Sequence, residues 1–235
     1  MTSLPEHVTP IDKKETFVFS CHPGITCFTE CCRNLELSLS PYDVLRLKKT
    51  LGITSQQFID EYAVVEFTKE DLHPKVYLGM VDDGQVSCPF VDKHGCLVYK
   101  DRPGACRTYP LGRGAYQYSE GLREVFVLLH EPHCQGFAQK TSYTVQSWYA
   151  DQGILEYNTH NDILLPIFNS HFFNERIRLT EKQADLFILA LYNVDQFREG
   201  HAKLFSGFSN DDISILSTVT KWLAEKIFLH KPNSA

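Results

Sequence analysis

Apolar positions recur at helical spacing in several stretches of the chain. Val44, Leu47 and Leu51 follow Ser40-Pro41 at three- and four-residue intervals. That pattern predicts a helix capped by Ser40, opened by Pro41 and stopped at Gly52. Thr54 and Gln57 form a capping box ahead of Phe58, Ile59 and Tyr62, which predicts a second helix at once. Thr180 with Gln183 repeats the signal before Ala184, Phe187, Ile188 and Leu191. Near the end, Ile215/Leu216, Val219, Trp222/Leu223 and Ile227 make another stripe, preceded by Asp211-Asp212 as a helix-start charge pair. These stripes, and the two tryptophans Trp148 and Trp222, read as core-facing packing, because amphipathic helices bury their apolar face.

Strand signals fall elsewhere. Phe17-Val18-Phe19 is a short β-prone run, and Val125–Leu129 is another. Between Ala63 and Val81, the runs Ala63–Phe67 and Lys75–Val81 flank a polar turn containing His73-Pro74. Asp82-Asp83-Gly84 is a turn signal. Residues Ser87–Gly114 are dense in Pro, Gly and Cys, and read as loops held by something other than a hydrophobic core. Within them Gly112-Arg113-Gly114 lacks the G-x-G-x-x-G fingerprint and is predicted to be a turn. From about Thr141 the pattern is helical. The expected fold is therefore α+β: a small loop-rich thiolate metal-binding core with short strands and helices, then a helical C-terminal half. The expected domains are residues 1–138 and, packed on them, residues 139–235, with a frayed tail at Lys231–Ala235.

Composition narrows the function. A chain of 235 residues with 43% hydrophobic and 22% charged residues can bury a core without disulfides. Its 23 basic and 29 acidic residues give a net charge of −6, so a strongly basic nucleic-acid binder is excluded as the default and no nucleic-acid partner is expected. The longest apolar run, Leu186–Tyr192, is far short of the roughly 18–20 residues of a membrane span. No Walker, H-E-x-x-H or G-x-S-x-G sequence is present. Met1–Pro10 lacks a basic start followed by an apolar run, so no export signal is read and a reducing cytoplasm is expected.

In that setting the cysteines carry the chemistry. All eight lie between Cys21 and Cys134. One cluster is Cys21-x5-Cys27-x3-Cys31-Cys32, the second holds Cys88, Cys96 and Cys106, and Cys134 follows alone. Soft metals take several thiolates converging on one point, and two close-spaced groups far apart in sequence are a common way to supply them. Neither group has zinc-finger or ferredoxin spacing, so the pattern points to a metal without choosing one. A single tetrahedral ion rarely takes both members of a Cys-Cys pair. Eight thiolates suffice for two four-coordinate sites, or for one iron–sulfur cluster with ligands to spare. Arg102, Arg107 and Lys93 could offset the thiolate charge, although the two arginines read equally well as loop braces. His22, His94 and His133 each stand within two residues of a cysteine, and incidental placement is the commoner outcome.

The cysteine groups, the helix Leu39-Ser40-Pro41-Tyr42-Asp43-Val44-Leu45, and the segment from Cys88-Pro89-Phe90 through Tyr99 and Arg102-Pro103 to Cys106-Arg107 resemble the YkgJ-like cysteine-cluster proteins. These are bacterial proteins described as zinc- or iron-chelating, and a related cluster occurs in flagellin lysine-N-methylases. The resemblance covers roughly Phe19–Phe137. It implies zinc or iron as cofactor, with a 4Fe-4S cluster among the forms the iron can take. Cys27, Cys31, Cys32, Cys88, Cys96 and Cys106 match the shared cluster. The departure is the first gap, where many members have a tighter pair than Cys21 and Cys27, so Cys21 and Cys134 join the candidate ligands less directly. Three functions are compatible: a metal-chelating protein, an iron–sulfur enzyme resembling the lysine N-methylases, or a zinc-stabilised platform for a protein partner.

Overall fold

The computed structural model describes residues 4–206 and 211–228, so the expectation for the tail Lys231–Ala235 lies outside the described residues. The chain opens with strands β1 (Val8–Ile11) and β2 (Thr16–Val18). Helices α1 (Pro41–Leu51) and α2 (Ser55–Tyr62) follow, then β3 (Ala63–Glu66) and β4 (Lys75–Leu78). A minimal hairpin, β5 (Val91–Asp92) and β6 (Gly95–Cys96), leads through α3 (Gly104–Thr108) to the long strands β7 (Leu111–Tyr118) and β8 (Gly121–Leu129). Strand β9 (Ser142–Thr144) precedes α4 (Val145–Gln152), α5 (Ile154–Asp162) and the one-turn helices α6 (Leu165–Phe168) and α7 (His171–Asn174). Helices α8 (Glu181–Leu191), α9 (Val194–Gly200) and α10 (Asp212–Leu223) complete the order, α10 running on into a wider π-type turn over Ala224–Phe228. This is the mixed α+β, loop-rich architecture the sequence predicts.

The helix starts follow the capping chemistry. Ser40 accepts from the Asp43 N–H while Asp43 accepts in return, and Gly52 ends α1 in the left-handed region at φ 70. Thr54 with Gln57 and Thr180 with Gln183 do the same for α2 and α8. Asp211 caps α10 through the Ser214 N–H. One expectation is corrected. Gly112-Arg113-Gly114 is not a turn but lies inside β7, paired antiparallel with Val125–Val127 of β8. A Cβ at Gly112 or Gly114 would stand 2.8 Å from a methyl carbon of Val127 or Val125, so these glycines let a strand lie close beside bulky neighbours.

The chain divides into two compact units, each built from two segments. The first takes the chain up to Leu37 and Gly79–Glu156; the second takes Ser38–Leu78 and the chain from Tyr157 onward. The sequence reading drew one boundary, between 138 and 139. The division differs because α1, α2, β3 and β4 pack with the later helices: Lys48 Nζ of α1 meets Asp195 at 2.8 Å, and the Asp195 carboxylate also accepts from the Ser55 N–H at the start of α2. Tyr42, Phe58, Phe187, Phe197 and Leu216 are fully buried in this second unit.

The first unit holds every cysteine. Its three-stranded antiparallel sheet has the order β1-β8-β7, and β2 pairs separately with β9. The core gathers Ile11, Phe17, Phe19, Leu111, Phe126, Leu128, Val145, Trp148 and Ile154. Phe19 stands edge-on to Tyr109, Phe137 and Trp148, and the indole N–H of Trp148 donates to the Thr108 carbonyl at 2.9 Å. Trp148 is therefore a packing residue, as its stripe predicts. The cysteine loops extend from this core.

Candidate metal centre

Eight free thiols project from loops and short elements of the first unit. Cys21 and Cys27 lie on the loop after β2. Cys31 and Cys32 occupy a 3₁₀ turn over Glu30–Cys32. Cys88 precedes the β5–β6 hairpin, Cys96 ends it, Cys106 sits on α3, and Cys134 follows β8.

Backbone hydrogen bonds tie these loops to one another at the cysteines themselves. The Cys88 N–H donates to the Cys32 carbonyl at 2.8 Å, the Asn34 N–H donates to the Val86 carbonyl at 2.9 Å, and Arg33 bridges Ser87. On the other side the Ser20 N–H donates to the Gly136 carbonyl at 3.1 Å, Thr26 Oγ1 donates to Gln135 Oε1 at 2.8 Å, and the Gln135 N–H donates to the Cys27 sulfur at 3.2 Å. The hairpin register opposes Val91 to Cys96, and the Phe90 N–H points at the Cys88 sulfur at 3.5 Å. The Val98 N–H serves Cys96 in the same way. Backbone N–H groups aimed at sulfur favour the thiolate over the thiol.

Three residues beside the cysteines hold the left-handed backbone that non-glycine residues avoid: Thr29 at φ 69, Asn34 at φ 48 and Val86 at φ 52. For a β-branched residue such as Val86 that conformation is a genuine outlier, and strain of this kind collects at functional sites. Arg33 braces the first of them, donating from Nη1 to the Thr29 carbonyl at 3.0 Å and to its hydroxyl at 3.3 Å, and from Nε to Gln85 Oε1 at 2.6 Å. Neither Arg33 nor Gln135 figured among the candidates. The signal available was adjacency, since each directly follows a cysteine.

The thiols face one another electrostatically. Burial pushes Cys21 up to about 11, with Cys31, Cys27 and Cys134 adding to the rise and Arg102 opposing it. The Cys32 S–H donates to the Cys31 sulfur, which lowers Cys31 to about 7 and raises Cys32, whose other neighbours are Cys88 and Cys106. Burial raises Cys88, with Cys96 and Cys31 contributing, and it raises Cys96 against the pull of the Val98 N–H and Arg102. Cys134 packs with Tyr109 against the aromatic core.

Arg102 and Arg107 act as braces. Arg102 stacks on the Tyr99 ring at 3.8 Å, donates to the Tyr99 carbonyl at 3.1 Å and reaches Gln152 Oε1. Arg107 donates to the Gln152 carbonyl at 2.6 Å and to the Lys100 carbonyl. Both thereby hold the segment before α3 to the end of α4, and Arg102 also turns its charge toward Cys21 and Cys96. Lys93 is exposed. Of the histidines, His22 uses Nδ1 to accept from the Gly24 N–H at 3.1 Å, while His94 and His133 are exposed.

Among the described residues, no three His, Cys, Asp or Glu side chains converge as they stand on a point where a metal ion could sit. The donor set nonetheless fits zinc or iron in kind: all-thiol, loop-borne and supplied with N–H groups directed at sulfur. Closing on an ion requires the thiols to lose their protons and turn from one another toward the metal. Among the described residues no helix is long and apolar enough to cross a membrane. Compared with known proteins, residues 20–135 match a family model, CxxCxxCC, described as a "putative zinc- or iron-chelating domain". No curated protein and no solved structure matches the chain.

Proposed function

We propose, for a chain that belongs over residues 20–135 to the family of zinc- or iron-chelating CxxCxxCC domains, that its clustered thiols bind zinc or iron as thiolates and that the bound metal fixes the cysteine loops. In this reading Cys27, Cys31, Cys32, Cys88, Cys96 and Cys106 are ligands, and Cys21 and Cys134 complete the set. The observation that carries it is the hydrogen bonding between distant loops at the cysteines. The Cys88 N–H meets the Cys32 carbonyl at 2.8 Å, and the Gln135 N–H meets the Cys27 sulfur at 3.2 Å. These loop segments bury only a few apolar side chains, Ile25, Phe90 and Val98 among them, and a metal joining their thiolates would add to that stabilisation. Iron can enter as single ions or as an iron–sulfur cluster, zinc as ions alone. Eight free thiols suit a reducing compartment, and we place the protein in the cytoplasm.

Elemental analysis with an absorption spectrum tests this, on protein purified without added metal and without oxygen. The expected result is zinc with no visible absorbance, or iron with a sulfur-to-iron charge-transfer band. Cys32→Ser and Cys106→Ser should each lower the metal content. Protein that folds with neither metal would contradict the reading, and a variant that keeps its full metal content would remove that residue from the ligand set.

A further inference from the structure

We infer that the second unit binds a free amino acid with a large apolar side chain, in the cavity between α10 and the turn from α6 into α7. The site is built entirely from residues of that unit and does not rest on the thiols or on their reading as metal ligands.

The cavity has a volume of about 600 Å³, inside the range of about 300–1,000 Å³ usual for small-molecule sites. Its lining is apolar at Ile163, Pro166, Ala224 and Phe228. Two hydroxyl oxygens of lining residues, Thr220 Oγ1 and Ser170 Oγ, are buried without a hydrogen-bond partner. Each forgoes the bond that its position offers. A helical threonine can donate to the carbonyl four residues back, as Thr218 of α10 does to Ser214 at 2.8 Å. Thr220, only 2% exposed on the same helix, does not. Ser170 stands at the cap position of α7 and makes no side-chain cap bond. A buried hydroxyl without a partner costs stability, and a ligand with a polar end would supply the partner for both.

The charges specify that polar end. Lys221 and Glu225 line the cavity from α10 four residues apart, yet among the described residues neither has an ion-pair partner. Residues so spaced on a regular helix lie side by side and pair readily. Here α10 widens between them into the π-type turn that begins at Ala224, a feature frequent at functional sites. An ammonium and a carboxylate offered together match the two charges of an amino acid, whose side chain the apolar lining receives. A simple amine or a simple acid would answer only one of them. Asp162 and His171 on the facing wall leave the rim with both signs, which again suits a zwitterion.

Isothermal titration calorimetry of the full chain with L-leucine, L-phenylalanine and L-tryptophan tests this. At least one should bind, one molecule per chain. The amine and the carboxylic acid that correspond to it, each lacking one charge, should bind about tenfold more weakly or worse. Thr220→Val and Ser170→Ala should each weaken binding by about fivefold. Their thermal midpoints should hold or rise, because each removes a buried hydroxyl that has no partner in the free protein; a purely structural role for these hydroxyls would lower the midpoints instead. Ala224→Leu, which fills the cavity, should abolish binding. Should that variant not fold by circular dichroism, the two hydroxyl variants still decide. No binding of any of the three at millimolar concentration would overturn the inference. So would binding that survives both hydroxyl variants unchanged, or an amine or acid that binds as well as its parent amino acid.

Discussion

At Cys31 the donated S–H of Cys32 lowers the thiol to about 7, whereas burial and the neighbouring sulfurs carry Cys21 up to about 11. The thiolate is the nucleophile, so these two residues should react very differently in the metal-free protein. A lowered thiol is already substantially ionised at neutral pH and loses its charge as the solution is acidified through the shifted value. Alkylation of reduced, metal-free protein, mapped by mass spectrometry, should modify Cys31 early, with a rate rising through a midpoint near pH 7. Cys21 should lag until the solution is strongly alkaline. Modification of Cys21 ahead of Cys31 near neutrality would contradict the arrangement of the pair. Arg33 belongs to the same scale. By holding the left-handed Thr29 through its carbonyl and hydroxyl, it keeps the 3₁₀ turn that carries both thiols.

Among the elements, those whose signals are local were legible in the sequence. The start of α1 is written in Ser40-Pro41, and those of α2 and α8 in residues three apart, Thr54 with Gln57 and Thr180 with Gln183, and the structure forms each cap. The cap of α4 uses Thr144 with Ser147, a pair that lacks the Glu or Gln of the usual capping box and so gave no warning. Strands β1 and β7 were illegible for a different reason. Pro10 sits in one and two glycines in the other, residues that disfavour a strand, and both form only because β8 pairs with them from across the sheet. The cysteine spacing announced a thiolate site, but not which loop lies beside which, because that depends on contacts such as Gly136 against Phe19. A Cβ at Gly136 would fall 2.3 Å from Phe19 Cε2. Gly136→Ala should therefore destabilise the first unit by about 1–3 kcal/mol, the usual range for overpacking. It should also loosen the loop that presents Cys134. Thermal unfolding of the metal-bound protein checks this, and an unchanged midpoint would show that Phe19 can move aside at no cost.

For the molecule as a whole, the claim is that its first unit is stabilised in two ways. The sheet and α4 enclose an aromatic core around Phe19 and Trp148, whereas on the function proposed above the loops that carry the thiols gain their stabilisation from bound metal. The second unit contains no cysteine and is stabilised by buried side chains such as Phe58, Phe187 and Leu216, with the Lys48–Asp195 pair beside them. Metal removal should consequently act on one set of segments and spare another. Amide hydrogen exchange, followed segment by segment before and after anaerobic removal of bound zinc or iron by a chelator, reads this directly. The account predicts that protection falls in residues 20–34, 86–106 and 131–139 and persists in residues 181–191 and 212–223. Unchanged protection in the cysteine loops, once the metal is quantitatively gone, would contradict it.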